Sequence, residues 1–181
     1  KIVIAPYMYT QVPPKALKCA DNVVIKFCTS GFSMLHPATS QENKSLRELF
    51  LAWRKLNPAS RFWVWDYNAV FNDFLQPFPN YSVAADNIKF FADNGATGVM
   101  LQGDGCCSVG DFVKMRAWII AHLLWNPSCD YAALENEFLQ GYYGKAAPFL
   151  KDYLRLMENA AAAKNTVIDL CGRSMGFLSV A

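Results

Sequence analysis

Two hydrophobic periods alternate along this chain. Short apolar runs bounded by turn residues read as strands, and runs with apolar positions three and four apart read as helices. Lys1 to Tyr9 (KIVIAPYMY) is the first strand-like run, closed by Pro13-Pro14. Asn22 to Thr29 (NVVIKFCT) is the second, broken by Gly31. Between Thr39 and Leu56 the period lengthens, and Leu46, Leu49, Phe50, Trp53 and Leu56 form one apolar helix face. Thr39 and Glu42 are spaced as a capping box, and Pro58 lies just past the end. A strand at Arg61 to Tyr67 (RFWVWDY) follows, then a Pro77-Phe78-Pro79-Asn80 turn. Next come a helix from about Val83 to Asn94 with Gly95 as its left-handed cap, and a strand at Thr97 to Gly103.

A helix over Asp111 to Trp125 is predicted to bury Phe112, Met115, Trp118, Ile119, His122 and Leu123, with His122 a satisfied core histidine. After Asn126-Pro127 the strands cease. Asp130 is placed to cap a helix that Gly141 and Gly144 break, and Pro148 fits the first turn of a last helix. Residues 1–127 therefore read as the sheet-bearing part, 128–163 as trailing helices, and 164–181 as a tail with no assigned element.

Strand starts near 22, 61 and 97 recur at 39- and 36-residue intervals with a helix in each gap, the rhythm of βα units and a parallel sheet. The strands are nearly continuous apolar runs, as expected when both sheet faces are covered. Four such strands suit a small open α/β sheet. They equally suit half of a (β/α)8 barrel, which needs about 250 residues in full.

Composition narrows the function classes. Seventeen basic against 15 acidic residues leave a charge of +2, no electrostatic basis for a nucleic-acid or anionic-membrane partner. Hydrophobic residues at 53% and charged ones at 18% specify a sizeable core rather than disorder. The longest apolar stretch, Ala117 to Trp125, is too short to span a bilayer. None of the six cysteines forms a C-x-x-C pair, so no metal site and no cofactor is expected, adjacent Cys106 and Cys107 included. The start at Lys1-Ile-Val-Ile, without Met, is the pattern of a processed or truncated chain.

In either α/β architecture, ligands meet the C-terminal ends of the strands. Those ends supply Tyr7, Tyr9 and Thr10; Cys28, Thr29 and Ser30; Trp65, Asp66, Tyr67 and Asn68; and Gln102, Gly103 and Asp104. His36 lies in the loop after the second strand. The set offers carboxylates, amides, hydroxyls and aromatic rings, and no cation. A sugar has an apolar C–H face and a polar rim, which such groups match. Asp66 and Asp104 are the candidate catalytic carboxylates, one as general acid and one as base or nucleophile. Tyr7, Tyr9, Tyr67, Asn68, Gln102 and His36 are the candidate substrate contacts. Trp63 and Trp65 lie on the side of their strand opposite Asp66 and are expected to pack against helices. Asn43-Lys-Ser45 and Asn80-Tyr-Ser82 match the glycosylation sequon. No dinucleotide fingerprint, Walker loop or G-x-S-x-G elbow is present.

Seven ordered motifs add to this reading: Asp21-Asn-Val-Val-Ile-Lys-Phe-Cys, Trp63-Val-Trp-Asp-Tyr-Asn, Pro77-Phe-Pro-Asn, Asn87-Ile-Lys-Phe-Phe with Asn94-Gly, Gly98-Val-Met-Leu-Gln-Gly, Leu124-Trp-Asn-Pro, and Glu137-Phe-Leu-Gln-Gly-Tyr-Tyr-Gly with Ala147-Pro. Together, over about residues 1–157, they resemble a bacterial family of uncharacterised domains in glycoside-hydrolase-like TIM-barrel proteins, relatives of α-glucuronidases and hexosaminidases. The resemblance implies the C-terminal part of a barrel followed by extra helices, with the remaining half of the barrel elsewhere in the parent protein. It also implies an oligosaccharide or polysaccharide substrate, and a secreted or periplasmic location. One departure matters: Leu101 stands where the family usually carries Glu. The expectation is accordingly a glycoside hydrolase, or a carbohydrate-binding homologue that has lost its chemistry.

Overall fold

Four strands, β1 (Ile2–Ile4), β2 (Val23–Cys28), β3 (Phe62–Tyr67) and β4 (Gly98–Gln102), lie side by side in the computed structural model, which describes residues 1–58, 61–105 and 109–172. Their order is β1-β2-β3-β4 and every pairing is parallel, with Ile25 opposite Phe62 and Asp66 opposite Leu101. Parallel neighbours need a crossover, usually helical. Helix α1 (Lys44–Leu56) supplies it between β2 and β3, and α2 (Val83–Asp93) between β3 and β4. A mixed α/β fold with a parallel sheet follows, as the βα rhythm predicts.

Alternation along the strands sends Ile25, Phe27, Phe62 and Val64 toward α1 and α2, where they are buried with Phe50, Trp53 and Phe91. Phe50 is the hub: its ring lies 5.6 Å from Phe27, 5.1 Å from Phe62 and 5.5 Å from both Phe90 and Phe91. Helices α3 (Val113–Trp125), α4 (Tyr131–Tyr143) and α5 (Ala147–Ala163) pack with α2 around Ile88, Met115, Ile119, Leu123, Phe138 and Leu154. Buried Glu135 on α4 is held there by Arg155 at 2.6 Å and the Tyr131 hydroxyl at 2.7 Å. A third cluster at the C-terminal strand ends unites Met34, Val70, Phe78 and Met157 with Ile168 and Leu170. The backbone there bonds to the loops after β2 and β3, Met34 N–H to Ile168 O at 2.8 Å and Phe71 N–H to Leu170 O at 3.0 Å. So the first part of the tail is structured; its remainder, 173–181, lies outside the described residues. Among the described residues, no helix is long and apolar enough to cross a membrane.

Several local expectations change. The first strand stops at Ile4, because Pro6 has no N–H for the ladder and Met8, at φ +49°, turns the chain into a 3-10 turn. Helix α1 begins at Lys44, and the Thr39–Glu42 box lies outside it. Asn43 governs the entry instead, its Oδ1 accepting from Ser33 N–H at 2.7 Å and its Nδ2 donating to Ser33 O and His36 O. Helix α4 runs through Gly141, where an interior glycine costs only about 1 kcal/mol, and ends at Gly144. Asp130 caps it, accepting from Ala132 N–H at 2.8 Å; Pro148 and Gly95 (φ +82°) sit as expected. Helix α3 buries Met115, Ile119 and Leu123, whereas His122 is exposed beside the Trp118 ring. Its apolar residues run round the whole helix, so periodicity could not select the buried side.

The largest correction concerns the sheet. Among the described residues, helices cover only the Phe62–Val64–Asp66 face. Trp63, Trp65 and Tyr67 project from the other face, with Trp63 36% and Met100 43% exposed. The strand alternation was legible, but which face the helices take is a property of the crossovers.

Candidate functional site

Tyr67 and Gln102 end paired strands and occupy opposite register positions on the open face. Trp65 joins them: its indole N–H donates to Gln102 Oε1 at 2.8 Å, and its ring stacks on Tyr67 with centroids 6.2 Å apart and planes 22° apart. The Lys26 ammonium, one strand over, sits 4.1 Å from the Trp65 ring centroid. The Cys28 thiol donates to Lys26 O at 3.7 Å beside the Tyr67 side chain, and burial pushes the thiol up while the Lys26 ammonium pulls it down. Burial raises the Tyr67 phenol as well, with Cys28, Tyr7 and Asp66 adding to it, so Tyr67 is a neutral hydrogen-bonding group at any ordinary pH. Tyr7 contributes to this cluster only through that charge effect. Tyr9, 95% exposed in the 3-10 turn, does not reach it.

Asp66 takes the opposite direction from Tyr67. Only 3% exposed, it accepts from the Thr29 hydroxyl at 2.5 Å, from the Asn87 side chain on α2 and from the Tyr67 backbone N–H. Burial outweighs those hydrogen bonds and pushes its carboxyl up to about 6. Asn87 in turn accepts from Ala38 N–H at 2.7 Å, so the group ties β2, β3, α2 and a loop together.

Asn68 and Asp104 meet elsewhere. Both line a cavity of about 240 Å³ between the β3–α2 loop, the end of β4 and the first turns of α3. Asp66 does not line it, so the two candidate carboxylates do not share a cleft. Leu101 does, in the helix-facing register opposite Asp66. One wall is a rigid network: Arg116 donates to Asp111 Oδ2 at 2.9 Å, to Asn80 Oδ1 at 2.5 Å and to Phe78 O. Asp111 Oδ2 also accepts from the Tyr81 hydroxyl at 2.8 Å, and Asn80 Nδ2 donates to Asn68 at 3.1 Å. Asn80 and Asn43, the asparagines of the two sequon matches, are buried and enclosed by their own hydrogen bonds.

His36 stands apart, its Nδ1 2.7 Å from Ser33 Oγ in a separate cleft with Asp86 and Glu158. Among the described residues no group of three His, Cys, Asp or Glu side chains is arranged to hold a metal; Cys106 and Cys107 lie outside them. Three members of the clusters escaped sequence reasoning. Lys26 sits mid-strand, and Gln76 and Arg116 lie in a loop and on a helix, where no periodicity marks a wall of a cavity.

A sheet of four parallel strands, with its polar and aromatic groups gathered at the C-terminal ends, defines an α/β domain of the βα-repeat class. The chain belongs to the family described as Domain of unknown function (DUF4838), which matches residues 2–155 and so takes in the whole sheet, α1 to α4 and most of α5. No curated protein and no solved structure matches the chain.

Proposed function

We propose that this chain supplies a sugar-contacting surface to a carbohydrate-active protein, centred on Trp65, Tyr67 and Gln102. The observation that carries the reading is the Trp65–Gln102 hydrogen bond, which holds a stacked aromatic pair against a carboxamide at the strand ends. Flat rings take the C–H face of a pyranose and the amide and phenol take its hydroxyls. The resemblance to domains of glycoside-hydrolase-like barrels agrees with it. In the architecture this reading implies, the four strands are the C-terminal half of a (β/α)8 barrel. Four further strands of the parent protein would then cover the open face, where Val3, Trp63 and Met100 are exposed.

Carbohydrate binding fits these residues better than hydrolysis by them alone. A glycosidase needs two carboxylates flanking one bond, at most roughly 9.5 Å apart. Here Asp66 is sealed among Thr29, Asn87 and the Tyr67 backbone, and Leu101 stands where the resemblance implies a Glu. Glycoside hydrolysis is the second reading, favoured by Asp104, two residues past Gln102 at the end of β4; it places the other carboxylate on the remaining strands. The test is a panel of oligosaccharides and aryl glycosides, uronosides included, against the full-length protein and its Gln102→Ala, Tyr67→Phe and Asp104→Asn variants. Binding weakened by Gln102→Ala with no turnover supports the binding reading. Turnover lost in Asp104→Asn supports the hydrolase. Neither binding nor turnover by the unmodified protein overturns both.

A further inference from the structure

Lys26 is the one cation that the four strands carry, and it stands on their open face. Its backbone lies mid-strand on β2, opposite Trp63 in register. Its side chain nevertheless runs toward the strand ends, because the ammonium sits 4.1 Å from the ring centroid of Trp65, two residues further along β3. The charge is thereby delivered to the indole whose N–H donates to Gln102 Oε1 at 2.8 Å and whose ring stacks on Tyr67. A cation, a carboxamide and a second aromatic ring surround one tryptophan.

That charge has no counter-ion on the face. The strand positions sharing it carry no carboxylate, since Asp66 lies in the helix-covered layer, and Lys26 makes no ion pair among the described residues. Contact with a ring attracts an ammonium but leaves its full charge in place. The ring also gives its three N–H donors no oxygen to bond. Lys26 is half-buried as well, so its head has given up part of its hydration. An anionic oxygen from a ligand makes good both losses. Lysine presents a point charge on a flexible stem rather than the planar fork of arginine, so one such oxygen is enough.

We propose that the open face prefers an acidic saccharide, with Lys26 pairing with the anionic oxygen of a carboxylate or sulfate group while Trp65, Tyr67 and Gln102 contact the sugar that bears it. The proposal rests on the reading of this face as a sugar-contacting surface and adds the class of sugar. A hydrogen bond to a charged group is roughly twice as strong as one between neutral groups, which sets the expected preference at about tenfold.

The test is isothermal titration of the full-length protein at neutral pH with matched ligands that differ only at the last carbon of the sugar: methyl β-D-glucopyranoside, its uronide and its 6-sulfate, and the same three galactosides. Within a series the acidic members should bind about tenfold more tightly than the neutral glycoside, and the advantage should shrink as salt is raised. Lys26→Met, which keeps an apolar stem against the Trp65 ring, should bring the acidic ligands down to the affinity of the neutral one. Lys26→Gln is the second neutral variant and should do the same. A stronger response to the uronide assigns the anionic oxygen to a carboxylate, and a stronger response to the sulfate assigns it to a sulfate ester. Equal affinity for acidic and neutral ligands, or a preference that survives both Lys26 variants, overturns the proposal and leaves the sugar-contacting surface standing. Binding of none of the six overturns both.

Discussion

The Thr29 hydroxyl and the Asp66 carboxylate, ends of neighbouring strands, meet at 2.5 Å in the buried layer beneath the sheet rather than over its open face. That contact changes the meaning of the strand-end aspartate. Asp66 joins β2 and β3 to α2 through Asn87, and so fixes the strand ends from which Tyr67 and the cavity loop project.

Its raised carboxyl makes stability depend on pH. The folded chain holds the Asp66 proton up to about pH 6, whereas the ordinary value of the group is 3.8. The folded state therefore binds more protons between those values. Its stabilising contribution is complete below about pH 4 and is lost as pH rises through 6. Thermal unfolding of the parent and of Asp66→Asn from pH 4.5 to 7.5 should show the parent losing on the order of 2 kcal/mol relative to the variant. Parallel pH curves would refute it.

Phe50 touches four other phenylalanine rings and is fully buried. Phe50→Ala should cost about 3–5 kcal/mol, because that rigid ring set cannot collapse into the space. Urea unfolding measures the loss, and a change under 1 kcal/mol would mean that the sheet and α1 are held some other way.

Arg116 and Asp111 form an ion pair with both side chains only 11% exposed. Arg116→Met should destabilise by roughly 3 kcal/mol, since it strands the Asp111 charge and the Asn80 and Phe78 carbonyl oxygens. Adding Asp111→Asn should recover part of that. A double-mutant cycle reads the coupling, and strict additivity would count against the network.

Gln102 accepts from the Trp65 indole, and Lys26 lies over the same ring. Gln102→Ala should leave the unfolding midpoint nearly unchanged while quenching or shifting Trp65 fluorescence, because the indole N–H loses its partner. The same variant should lower affinity for a neutral oligosaccharide by about tenfold, one hydrogen-bonding group's worth. Isothermal titration gives the affinity.

What the sequence determined alone was the order and kind of the elements. Local periodicity separates strand from helix within a few residues, and Asp130, Pro148 and Gly95 act on backbone groups next to them in the chain. It also placed Tyr67, Asn68, Gln102 and Asp104 at strand ends, because end positions follow from where each apolar run stops. Only the tertiary structure decided which face of those strands the helices cover, and with it the fate of Asp66 and of the two tryptophans. Thr29 lies 37 residues before Asp66 and Asn87 lies 21 after it, so no local rule joins them. The same reason hid the cavity. Its walls come from two loops, a strand end and a helix whose apolar residues surround it, and the empty space between them is set by packing, which no single segment encodes.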